Sequence, residues 1–236
     1  MCCSLSWENH RGVMGAGFAH SQQGKIEPAM NTPDAPKTPL EERIRIREIK
    51  TLSDDWYVLK KNTFDYLRKD GSWQTQSRET YDRGNGATIL LYHPEQQTVV
   101  LTRQFRFPAF VNGYRDLMIE AAAGLLDESE PEACIRREVE EETGYRVDRV
   151  HKIFEAFMSP GSVTEKLHFF VAEYDPASRD NSGGGLEEEG EDIEVLELPF
   201  QEALEMVRKG QIVDAKTILL LQYAQVNQLF SSPSEG

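Results

Sequence analysis

The chain has 236 residues, 39% of them hydrophobic, and 40 acidic against 26 basic residues give a formal net charge of −14. That length suits one domain with a small appendage, and the charge argues against nucleic acid as a partner, since binding its backbone needs a basic surface. No apolar run of about 18 residues and no apolar leader is visible, so a cytoplasmic chain with no membrane partner is expected.

Residues 1–40 are rich in small and polar residues and are punctuated by Pro28, Pro33, Pro36 and Pro39. This is the composition of a disordered extension. It holds Cys2 and Cys3, which with Cys134 form neither a disulfide framework nor a zinc spacing. Residues 41–84 read as a small antiparallel β-sheet. Arg43 to Ile46 alternates charged and apolar, Trp56 to Leu67 is rich in β-formers, and Asp70-Gly71 supplies a hairpin turn with a return strand to about Tyr81.

Residues 85–236 hold the main domain. Gly86 to Tyr92 is a buried strand, a turn at His93-Pro94-Glu95 leads to a strand over Thr98 to Arg106, and Leu117 to Ala122 is a further short strand. A helix is predicted from about 131 to 143, with Pro131 at its first position. Lys166 to Tyr174 reads as a central strand and Ile193 to Leu198 as another. Between them Asp175 to Gly190, with Gly183-Gly184-Gly185, reads as a mobile loop. Two helices close the chain, near Phe200 to Lys209 and Ala215 to Phe230. Strands interleaved with helices in this way predict an α/β/α sandwich around a mixed sheet.

The residues that carry chemistry are concentrated on the predicted helix, in Arg137-Glu138-Val139-Glu140-Glu141-Glu142-Thr143-Gly144. At about 100° per residue, Glu142 falls about 40° to one side of Glu138 and Glu141 about 60° to the other. Three carboxylates on one narrow face repel one another. Hard divalent cations, which prefer oxygen ligands, are the economical offset. Ile135 and Val139, four apart, are expected to anchor the helix to a core. On the strand before, Arg103 and Arg106 bracket Gln104-Phe105, and the planar guanidinium suits phosphate.

Gly124, Glu130 and the run from Arg137 to Gly144 resemble the Nudix box of the Nudix hydrolases: Gly, five residues, Glu, seven residues, then Arg-Glu-aliphatic-x-Glu-Glu-x-Gly-aliphatic. Only six residues separate Glu130 from Arg137 here, and Tyr145 stands at the last position. The shortened spacing is shared by the GDP-mannose pyrophosphatase branch. Tyr81-Asp82-Arg83-Gly84-Asn85-Gly86-Ala87-Thr88, Val111-Asn112-Gly113 and Asp192-Ile193-Glu194-Val195 resemble that branch too.

The resemblance implies a Nudix fold and metal-dependent hydrolysis of a nucleoside diphosphate sugar at its pyrophosphate link, with GDP-mannose giving GMP and mannose 1-phosphate. The alternatives are an ADP-ribose or ADP-sugar pyrophosphatase, and a non-catalytic Nudix-fold module that binds nucleotide sugars. It also implies Mg2+, with Mn2+ as substitute, held by Glu138, Glu141, Glu142, Glu191 and the carbonyl of Ala123. Glu191, with Glu165 second, is the expected base, in a site where Glu142 is also catalytic. Arg106 and Glu165 are expected at the substrate, with Trp56 stacking on the base and Arg78 and Glu79 contacting it. A homodimer that swaps its N-terminal strands is the implied assembly.

Overall fold

In a computed structural model the structure describes residues 38–126 and 130–230. Nearly all of the predicted N-terminal extension lies outside those residues. Three strands come first, β1 (Ile44–Asp54), β2 (Val58–Leu67) and β3 (Trp73–Asp82), paired in that order as an antiparallel sheet. The β2–β3 turn contains Asp70 and Gly71. Gly71 adopts φ +82°, which glycine takes without strain, and Asp70 Oδ1 accepts the amide of Ser72. In the sheet's interior Asp65 is buried, held by Arg47 Nε at 2.6 Å and Thr75 Oγ1 at 2.7 Å. The first strand begins earlier in the chain than its apolar alternation ends, and almost all of β1 is exposed.

The second sheet contains β4 (Gly86–His93), β5 (Thr98–Gln104), β6 (Met118–Glu120), β7 (Ala123–Leu125), β8 (His151–Phe157), β9 (Lys166–Glu173) and β10 (Glu194–Pro199). Its order is β10-β5-β4-β9-β8, with β6 on β5 and β7 on β4. The β4–β9 pair is parallel and the others are antiparallel, so the sheet is mixed as predicted. The helices are α1 (Phe107–Val111), α2 (Pro131–Thr143), α3 (Phe200–Arg208) and α4 (Ala215–Val226). Sequence reading missed β7, β8 and α1. β7 pairs with β4 just past the end of the predicted Leu117 to Ala122 strand. β8 is an edge strand whose outer residues are charged and whose register breaks between Lys152 and Phe154. α1 is a single short turn with Pro108 near its start.

Side chains alternate across a strand with period two, and this alternation builds two cores. Leu90, Leu101, Phe169 and Val171 face α3 and α4 through Phe200, Ala203, Leu220 and Leu221. Ile89, Leu91, Val100 and Phe170 face α2 through Ile135 and Val139. Each such large apolar side chain, moved from water into the core, contributes about 1.5–3 kcal/mol. The result is the α/β/α sandwich, with α2 alone on one face. Among the described residues no helix is long and apolar enough to cross a membrane.

The N-terminal sheet is tied to the main domain at the end of β3. Tyr81 donates its amide to the Ser162 carbonyl at 2.8 Å, and the Thr164 amide returns to Tyr81 O at 3.1 Å. The loop that precedes β9 is thereby clipped to β3.

Candidate active site

Helix α2 begins at Pro131 and ends at Gly144, whose φ of +75° and amide bond to Glu140 O form a left-handed cap. The glycine run read as mobile is docked onto this end. The amides of Gly184 and Gly185 donate to Glu142 O at 2.9 Å and Glu141 O at 3.1 Å, satisfying carbonyls that the helix itself leaves open. Three successive glycines are used because a Cβ on Gly183 would meet the Glu142 carbonyl oxygen at 2.4 Å. Loop composition alone carries no sign of such docking.

The docked loop brings Glu191 to the box. Glu191 Oε2 accepts the Leu186 amide at 3.0 Å and lies where a Cβ on Gly185 would sit. Its charge acts on both Glu142 and Glu138. Glu142 is only 2% exposed and its Oε2 has no hydrogen-bond partner among the described residues. Burial, then Glu191 and Glu138, push its carboxyl well above the ordinary range. Burial first, and then Glu141, raise Glu138 to about 7. Glu138 fills the space left by the missing Cβ of Gly124, where that atom would stand 2.0 Å from Glu138 Cδ. Gly124, next to Ala123 on β7 and paired with Ala87, thus lies against this carboxylate. Arg137 lies 3.5 Å from Glu138 Oε1 and 3.9 Å from Glu141 Oε1, pairing with box carboxylates.

Among the described residues, no three His, Cys, Asp or Glu side chains stand close enough together to hold a metal ion as they are. A buried carboxylate oxygen with no partner among the described residues, carboxyl pKa values pushed up by burial and by neighbouring carboxylates, and all-oxygen donors fit a hard divalent cation. Glu138, Glu141, Glu142 and Glu191 are the residues able to supply those donors.

The two arginines have separate roles. Arg103 faces Glu194 across the β5–β10 pair and donates Nε to it at 2.8 Å, a cross-strand surface pair. Arg106 sits just after β5 with Nε 2.7 Å from Glu120 Oε2, and its charge is felt by Glu142. Behind it, Glu120 Oε1 is 2.5 Å from Lys216 Nζ, and Lys216 is 3.1 Å from Asp214 Oδ1. Sequence reading missed this network. Its signal was an acid amid the apolar residues of the Leu117 to Ala122 strand, and Asp-x-Lys-Thr at the start of an apolar helix.

Glu165 lies at the start of β9, with Oε1 3.4 Å from Arg83 Nε and facing Gly86. Arg83 in turn stands over the Tyr57 ring, which meets Tyr81 edge-on. Trp56, in the β1–β2 turn beside Tyr57, is 81% exposed. Arg78 and Glu79 line an open cleft of about 630 Å³ whose other wall is Phe157 and the Pro160–Thr164 loop. This cleft lies on the Glu165 side, and the box carboxylates are not among its walls. Two groups of expected residues therefore emerge: Glu138, Glu141, Glu142, Glu191 and Arg106 around α2, and Arg78, Glu79 and Glu165 around the Ser-Pro-Gly loop.

A family model described as NUDIX domain matches residues 82–221, and one described as GDP-mannose pyrophosphatase NudK N-terminal domain matches residues 43–81. A GDP-mannose pyrophosphatase of Pectobacterium atrosepticum is 59% identical over 189 residues, 80% of this chain and 97% of that protein. One from Klebsiella pneumoniae is 56% identical over 193 residues, 81% of this chain and 96% of the relative. One from Escherichia coli O1:K1 is 56% identical over 189 residues, covering 80% and 98%. The chain belongs to the Nudix hydrolase family, in its GDP-mannose pyrophosphatase branch, and carries a catalytic Nudix domain.

Proposed function

We propose that the chain hydrolyses the pyrophosphate link of a nucleoside diphosphate sugar, with GDP-mannose as substrate and GMP and mannose 1-phosphate as products. The observation that carries this reading is the buried carboxylate pair Glu138 and Glu142 beside Glu191, with a guanidinium, Arg106, at its edge. Hydrolases of this family need a divalent metal. Mg2+, or Mn2+ in its place, would be held by Glu138, Glu141, Glu142, Glu191 and the Ala123 carbonyl. Bound there, the cation supplies charge neutralisation for the pyrophosphate oxygens and makes an attacking water easier to deprotonate.

The chain's own groups do the rest. Arg106, held at Nε by Glu120, offers its outer N–H groups to phosphate and stabilises charge that grows there as the bond breaks. Glu191, fixed by the Leu186 amide, takes the water's proton; Glu165 is the second choice for that task. The base and ribose extend toward Arg78 and Glu79, with Trp56 available to stack. Exposed Ile46, Ile49 and Leu52 on β1 support a homodimer in which the N-terminal sheets of two copies cover each other.

The test is a substrate panel of GDP-mannose, ADP-ribose and ADP-glucose with Mg2+, scored by released nucleoside monophosphate. GDP-mannose turned over with the highest kcat/KM supports the reading. Preference for either adenine nucleotide, or no turnover of any, overturns it.

A further inference from the structure

Nothing in the proposed reaction calls on Lys216, yet it is a cation placed deep behind the site, its side chain only 12% exposed. Both of its carboxylate contacts are defined: Glu120 Oε1 at 2.5 Å and Asp214 Oδ1 at 3.1 Å. Glu120 is itself buried, and its two oxygens are divided between two cations, Oε1 to Lys216 and Oε2 to Arg106 Nε at 2.7 Å. The surrounding backbone is pinned as well. Thr102 Oγ1 donates to the Glu120 carbonyl at 3.2 Å, and the Ala121 amide donates to Thr217 Oγ1 at 2.7 Å. Asp214 caps α4 by accepting the Thr217 amide at 2.9 Å. The first turn of α4 is thus tied to the strand that runs into Ala123 and Gly124.

The charges are arranged in alternation, Asp214–Lys216–Glu120–Arg106, and the charge of the last member acts on Glu142. Of Arg106's N–H donors, only Nε is committed to a protein acceptor among the described residues. Were Lys216 neutral, Glu120 would be a buried carboxylate with Arg106 as its only cationic partner. The guanidinium would then turn to satisfy both carboxylate oxygens in the bidentate geometry that arginine prefers, and an outer N–H group would be taken up by Glu120.

We propose that Lys216 is a positioning residue for the hydrolytic reaction. By occupying one oxygen of Glu120, it limits Arg106 to a single contact there and leaves the remaining guanidinium N–H groups for a substrate phosphate. The proposal rests on the reading that the site cleaves a nucleoside diphosphate sugar and that Arg106 meets its phosphate.

A double-mutant cycle between Lys216→Met and Arg106→Met, read as kcat and KM for GDP-mannose with saturating Mg2+, tests it. Removing Lys216 should lower kcat about tenfold or more, and in the Arg106→Met background the same change should alter kcat by less than twofold. Lys216→Arg should recover most of the lost activity. Lys216→Met leaves a buried carboxylate short of a partner and can weaken the fold, so Glu120→Gln with Lys216→Met, which removes both charges, is measured beside it. Glutamine accepts through one oxygen only and cannot hold Arg106 in a bidentate pair, so this neutral pair should be faster than Lys216→Met. A purely structural role predicts multiplicative losses in the cycle; that result, or a neutral pair no faster than a folded Lys216→Met, overturns the proposal. So does wild-type kcat in a folded Lys216→Met. Failure of the wild-type chain to hydrolyse GDP-mannose would instead refute the underlying functional reading.

Discussion

Replacing Gly124 by alanine should separate the active site from the stability of the fold. A Cβ at this position would lie 2.0 Å from Glu138 Cδ and 2.4 Å from its Cγ and Oε1. Ordinary contact between such atoms is about 3.5–4.0 Å, so the carboxylate must retreat by roughly 1.5 Å. Gly124 is not among the residues with positive φ, and alanine adopts its backbone without strain. The unfolded chain loses freedom worth about 0.4–1 kcal/mol in favour of folding, and a displaced Glu138 rotamer costs about 0.5–1.5 kcal/mol. These nearly cancel, leaving a melting temperature within about 2–4 °C of wild type. The effect on chemistry is not small. Ligand distances at a metal tolerate about 0.2 Å, and a misplacement near 1 Å costs about 100-fold in rate. Thermal melts beside kcat/KM for GDP-mannose over a Mg2+ titration measure both quantities. Wild-type activity in Gly124→Ala would refute the role given to Glu138, and an unfolded variant would refute the packing argument.

Glu142→Gln should abolish Mg2+-dependent turnover while leaving the melting temperature at pH 8 without metal equal to or above wild type, because it removes charge from a buried position; near-normal activity would contradict the metal assignment. Glu138 is raised from an ordinary 4.5 to about 7 by burial and Glu141, and Glu142 is raised well above the ordinary range by burial and Glu191. A raised folded pKa gives stability that is present below about pH 4.5 and lost as pH rises through about 7. Mg2+ must displace those protons, so its stabilisation of the fold should grow between pH 5.5 and 8.5 in thermal melts, and a pH-independent shift would count against the account. Gly183→Ala differs from Gly124→Ala because the added Cβ meets backbone, Glu142 O at 2.4 Å and Thr143 C at 2.6 Å, at φ +66°. It should cost about 2–4 kcal/mol in urea unfolding, and a loss under about 0.5 kcal/mol would show that the loop is not docked as described.

The helix that carries the box was legible because its signals are local: Pro131 at the start, glycine at the end and apolar residues four apart. The strand alternation that divides Ile89 from Leu90 and Phe169 from Phe170 was legible for the same reason. What the sequence left hidden depends on distant partners. Glu120 and Lys216 are 96 positions apart and meet only because α4 packs behind β6. Gly183 to Gly185 look like slack until α2 presents open carbonyls to them. The separation of Arg103 from Arg106 required Glu194 on another strand. The edge strand β8 carries charges on its outer positions, and its pattern does not stand out from a polar connection.

The most direct test follows wild-type and Glu142→Gln reactions with GDP-mannose and Mg2+ by 31P NMR. The account predicts that the wild-type chain converts the pyrophosphate signals to equal amounts of GMP and mannose 1-phosphate, that chelation stops the conversion, and that Glu142→Gln leaves the substrate intact. GDP as the phosphorus-containing product, which marks cleavage at the sugar carbon, or continued conversion by Glu142→Gln, would contradict it.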